Sequence, residues 1–155
     1  MNVRISSELL ARIVAEAASS PDEVCGLMLG SADRIAAAEP CRNVAADPRR
    51  RFEIDPAALL RAHRAAREGG PPLVGCYHSH PGGDAMPSPR DATDAAADGW
   101  LWLIVGDGKT RLFRAVPDGK IYNRFDEMSL VAFPRHPRLR FLAGPGRFDP
   151  GSNLS

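Results

Sequence analysis

Apolar and polar positions recur along this chain at two different periods, and the switches between them mark its elements. Val3 and Ile5 flank Arg4 at a spacing of two, which predicts a short edge strand. The spacing then becomes helical: Leu9, Leu10, Ile13, Val14 and Ala17 form one apolar stripe, and Ser6 or Ser7 stands where a helix cap belongs. Val24 to Leu29 is an unbroken apolar run of strand length, and Arg34 to Ala38 reads as another strand. Phe52-Glu53-Ile54 is a short third one, after the basic loop Arg49-Arg50-Arg51. Asp55-Pro56 opens a helix through about Arg67, and Gly69-Gly70-Pro71 ends it.

Pro72-Leu73-Val74-Gly75-Cys76-Tyr77 begins the next strand, and Ser88-Pro89 starts a helix to about Ala97. Trp100 to Gly106 is continuously apolar, as in a strand buried on both faces, so Trp100 and Trp102 read as core or groove wall. Asp107-Gly108 signals a hairpin into Arg111–Val116, and Asp118-Gly119 a second one into Ile121–Phe125. Strands interleaved with helices give an α/β class: a three-layer α-β-α sandwich around a mixed, largely antiparallel sheet. From Phe133 neither period is sustained, which divides the chain into a domain over 1–132 and a Pro/Gly/Arg-rich tail over 133–155. In that tail Arg135, Arg138, Arg140 and Arg147 alternate with Phe133, Phe141 and Phe148, suited to an acidic partner or to lying over the chain's own domain. His136 and His63 have no partner motif and read as solvated.

Charge changes the picture by exclusion. Twenty basic against 19 acidic residues leave a net charge of +1, which gives no global electrostatic case for nucleic acid or an anionic membrane. Met1-Asn2-Val3-Arg4-Ile5 lacks the apolar core of a signal peptide, and no apolar stretch approaches the ~20 residues of a membrane span. Three scattered cysteines, Cys25, Cys41 and Cys76, form no disulfide framework and fit a reducing, cytoplasmic setting. Cys25 and Cys76 lie in apolar runs as small core residues. Cys76 shares strand parity with His78 and His80, but lies further into the strand, below the point where those two converge.

The chemistry concentrates in His78-Ser79-His80, with Ser88 and Asp91 downstream. Alternate residues of a strand share a face, so His78 and His80 aim both rings at one point. Asp91, one turn inside the helix capped by Ser88, supplies a third ligand. Two imidazoles and a carboxylate with one position open to water is the pattern of catalytic zinc, whose water has a pKa near 7.

The spacing H-x-H-x7-S-x2-D over His78, His80, Ser88 and Asp91 is that of the JAMM (MPN+) metalloproteases, and nothing in the motif departs from it. The chain resembles this family over roughly residues 1 to 130. The family's catalytic glutamate precedes an apolar, glycine-containing strand, and Glu23 holds that place in Pro21-Asp22-Glu23-Val24-Cys25-Gly26-Leu27-Met28-Leu29-Gly30. The resemblance implies one Zn2+ on His78, His80 and Asp91, with Glu23 as general base and acid and Ser88 as the donor facing developing negative charge. It also implies hydrolysis of a peptide or isopeptide bond. The small prokaryotic members act at the C-terminal diglycine of ubiquitin-like or sulfur-carrier proteins, and extended peptides are commonly held by adding a strand to a sheet edge. Three alternatives stand beside this: a non-catalytic MPN-type binding module, a broad-specificity zinc peptidase, and a two-His, one-carboxylate iron oxygenase, which the H-x-H order disfavours. The sequence leaves the leaving group and the oligomeric state open.

Overall fold

The computed structural model describes residues 1–135. Strand β1 (Asn2–Ser6) passes directly into helix α1 (Ser7–Ala18), where the Ser6 hydroxyl accepts from the Leu9 N–H at 3.1 Å. Next come β2 (Cys25–Ser31) and β3 (Arg34–Cys41), then α2 (Pro56–Arg67), capped by Asp55 with Pro56 in the first turn. After them follow β4 (Leu73–His80), α3 (Pro89–Asp94), β5 (Leu101–Gly106), β6 (Lys109–Gly119) and β7 (Asn123–Phe133).

The sheet is mixed and largely antiparallel, with parallel pairs at β1–β3, β1–β7 and β4–β5. Its strand order, β1-β3-β2-β4-β5-β6-β7, closes on itself. β1 is therefore not the expected edge strand. Val3 and Ile5 are fully buried, and β7, running on to Phe133, reaches far enough to pair with β1 from Asn2 to Ser6. Closure gives every strand two neighbours, but β3 meets β1 only at Arg34 and Ile35, so its outer edge from Ala36 to Cys41 has no strand partner among the described residues.

Period-two alternation sorts the core into two clusters. Tyr77, Leu101, Leu103 and Val105 face Val3, Ile5 and Met28, with Ile13 and the apolar stripe of α1 packed against them. Cys76, Trp102 and Ile104 face the other way, toward Phe113, Phe125 and Ala95. Gly26 has no room for a Cβ beside the Tyr77 ring, and that close approach lets the Tyr77 hydroxyl reach Glu16 Oε2 at 2.8 Å, tying β4 to α1. Burial pushes the Cys25 thiol up to about 12, and Cys76 is likewise raised, consistent with inert core residues.

Three local expectations differ from what forms. Phe52–Ile54 makes a single bridge, Asn43 with Ile54, because the Glu53 N–H is taken by the Asn43 side chain instead of a strand. Helix α3 stops at Asp94, since Ala95 turns extended and buries itself in the second cluster. The second hairpin reverses at Tyr122-Asn123; Asp118, at φ 56°, lies within a register shift of β6. His63 is exposed, as expected. His136, Arg138, Arg140, Phe141, Arg147 and Phe148 lie outside the described residues.

Candidate functional site

The end of β4 carries the site. His78 and His80 share a face as their parity requires, with Nε2 atoms 3.0 Å apart. Asp91 arrives from α3, and its Oδ2 lies 3.2 Å from both Nε2 atoms. The capping box that starts this helix also aims the carboxylate: the Ser88 N–H donates to Asp91 Oδ2 at 2.9 Å while Ser88 Oγ accepts from the Asp91 N–H at 3.0 Å. Ser88 thus retains its hydroxyl proton for a further partner.

Second partners fix the rings. His80 Nδ1 lies 2.9 Å from the Asp84 carbonyl oxygen, which can only accept, so the proton sits on Nδ1 and the neutral ring offers the lone pair of Nε2. Phe52 stacks on His78 with centroids 4.2 Å apart, and Trp102 meets it edge-on at 5.7 Å. Burial lowers the His78 pKa despite the pull of Asp91. At His80 burial also opposes charging, but Asp91, the Asp84 carbonyl and Glu23 together raise it. Asp91 is buried too, yet the two imidazoles hold its carboxyl well below the usual carboxylate range.

His78 Nδ1 has no hydrogen-bond partner, and with both Nε2 atoms unprotonated the two nitrogen lone pairs and the carboxylate oxygen, within 3.2 Å of one another, form a donor triangle for a cation. Ligands about 2.0–2.1 Å from a tetrahedral zinc lie about 3.3 Å apart, so the triangle fits such an ion with small adjustments. Glu23 sits further back. Its Oε1 is 4.0 Å from His80 Nε2, and one ligand atom each of Glu23, His78 and His80 falls within 4.8 Å of the others, a group able to hold a metal. Glu23 is 4% exposed, Oε2 has no hydrogen-bond partner, and burial pushes its carboxyl up to about 7, with Asp91 and Asp47 reinforcing and His80 opposing. Glu23, His80 and Ser88 line one cavity of about 380 Å³, and Cys76 is not part of this group.

Two residues escaped the sequence reading. Asn43 donates to the Glu23 carbonyl at 2.9 Å and the Arg51 carbonyl at 3.0 Å, and accepts from the Ala45 and Glu53 N–H groups. Ser79, pointing away from the histidines, accepts from the Val24 N–H at 2.9 Å and so joins β4 to the Glu23 segment. A lone asparagine in a loop carries no periodic signal; Ser79 was visible only as the odd-parity residue between two histidines. We expect Asn43→Ala to destabilise the protein by about 1–3 kcal/mol, because it strands several half-buried backbone groups. Denaturant unfolding checks this; unchanged stability would show that the loop holds Glu23 without it.

A family model described as prokaryotic homologs of the JAB domain matches residues 6–116. A desampylase of Haloferax volcanii is 41% identical over 96 residues, 60% of this chain and 69% of its own. A probable TtuB-protein conjugate cleaving protease of Thermus thermophilus is 36% identical over 115 residues, 73% of this chain and 72% of its own. The fold is similar to that of a JAB1/MPN domain protein from Archaeoglobus fulgidus, with a TM-score of 0.53 and 21% identity over 84% of this chain and 98% of that one.

Proposed function

Because the chain belongs to the family of prokaryotic homologs of the JAB domain, we propose that it is a zinc-dependent isopeptidase that releases a ubiquitin-like or sulfur-carrier protein after its C-terminal diglycine. The observation that carries this reading is the convergence of His78, His80 and Asp91 within 3.2 Å of one another, with His80 and Glu23 lining one cavity. Relatives named as a desampylase and as a conjugate-cleaving protease support the substrate class.

His78, His80 and Asp91 are the ligands in this reading, and Glu23, further away, is the proton carrier. When bound, zinc supplies an acidic water and a Lewis acid for the scissile carbonyl. Glu23 takes a proton from the attacking water and returns it to the departing amine, from a buried position on the cavity wall. Ser88 turns its free hydroxyl proton toward the carbonyl oxygen as negative charge develops there. Phe52 and Trp102 keep water from the His78 side.

Three finer points belong to the same proposal. We read the closed sheet as the three-layer form of the fold, α1 covering one core cluster and α3 joining the other. The domain is taken to end at 132, next to the last residue of β7, with 133–155 as its tail. No helix among the described residues is long and apolar enough to cross a membrane, and the free cysteines suit a cytoplasmic setting.

The test is mass spectrometry of products from diglycine-ended fusions and unrelated unfolded peptides. Cleavage after the second glycine, and much slower attack on the peptides, is expected. Equal rates on both would identify a broad peptidase instead.

A further inference from the structure

The turn between β6 and β7 suits its occupant badly. The Arg124 N–H donates to the Ile121 carbonyl at 3.0 Å, closing a two-residue reversal whose central residues, Tyr122 and Asn123, have φ of 50° and 57°. Such a turn favours asparagine or glycine at both places, since a Cβ on a bulky residue crowds the left-handed conformation. Asparagine fills the second place; a tyrosine fills the first. Burial does not explain it, for Tyr122 is 56% exposed.

Location does. Tyr122 lies on the wall of the 380 Å³ cavity that holds Glu23, His80 and Ser88, and imidazole aside it is the one aromatic ring among that cavity's described lining residues. An exposed ring held in a disfavoured conformation beside a reactive group points to a role in function. A peptide end that reaches Glu23 and His80 passes this wall.

We infer that Tyr122 is a specificity-determining residue whose ring covers the substrate's two terminal glycines and excludes a side chain from them. A flat ring lies close over peptide planes that carry no Cβ, and one methyl group at either position forces it away. The inference rests on the isopeptidase reading above and names the wall that gives it its glycine preference.

The experiment compares wild type, Tyr122→Asn and Tyr122→Phe on two fusions, one ending its carrier in Gly-Gly and one in Gly-Ala. Tyr122→Asn should relieve the turn, raising Tm by about 4 °C, with zinc content unchanged. Its kcat/KM on the Gly-Gly fusion should fall about tenfold, mainly through KM, as expected for loss of an aromatic contact. The preference for Gly-Gly over Gly-Ala should fall by a similar factor. Tyr122→Phe should keep both within about twofold, since the ring and not the hydroxyl acts. Unchanged rates and preference in Tyr122→Asn, with wild type active, overturn the inference alone. So does a loss of activity with lowered Tm that Tyr122→Phe shares, which marks a collapsed turn. A wild type that cleaves neither fusion overturns the isopeptidase reading and this inference with it.

Discussion

His80→Ala should empty the metal site and abolish turnover, and Asp91→Asn should do the same. The purified protein is expected to hold about one zinc per chain, measured by elemental analysis. Each of the three ligand atoms lies within 3.2 Å of the other two, so removing any one leaves two donors and no closed triangle. Activity should drop by at least about 10³, because the acidic water and the polarised carbonyl are lost together. His80 is the better probe of the two histidines. Its side chain is 15% exposed, whereas His78 is wholly buried between Phe52 and Trp102, and truncating it also leaves a hole in the core. Asp91→Asn keeps the shape of the capping residue while removing the charge. Stoichiometric zinc in a His78→Ala/His80→Ala protein would place the metal elsewhere and end the proposal, as would iron in place of zinc.

What the sequence disclosed is what local chemistry decides. Ser6, Asp55 and Ser88 each cap the helix that follows within three residues, so those starts were readable without the fold. The pairing of His78 with His80 followed from strand parity, and Asp91 from its place in a capped first turn. Long-range pairing was not readable. Nothing in Val3-Arg4-Ile5 tells that β7 will run far enough to make it an interior strand. Asp118-Gly119 has turn chemistry, yet the chain uses Asp118 to absorb a register shift and turns at Tyr122, where local preference argues against it. Glu23 was legible only by resemblance, because its carboxylate reaches the histidines from a segment 55 residues away, through contacts made by Asn43 and by Ser79 with Val24.

Glu23→Gln isolates the remaining role. Glutamine fills nearly the same volume but cannot accept and return a proton, so turnover should fall by at least about 10² with zinc retained. The backbone argues that the substitution leaves geometry intact. The Glu23 N–H donates to the Pro48 carbonyl at 2.8 Å and its own carbonyl accepts from Asn43 at 2.9 Å, so main-chain bonds hold the residue whatever its side chain. The rival role is metal ligation, which the 4.8 Å grouping of Glu23 with both histidines permits. The two roles part on zinc content. As a ligand Glu23 would take metal with it when changed; as a proton carrier it leaves the metal in place and takes only the rate. Distance favours the second, since Asp91 stands 3.2 Å from His80 Nε2 and Glu23 4.0 Å, too far to share a tetrahedral edge of about 3.3 Å. Full activity in a zinc-loaded Glu23→Gln enzyme would remove Glu23 from the mechanism and leave its buried, unpartnered oxygen without a purpose.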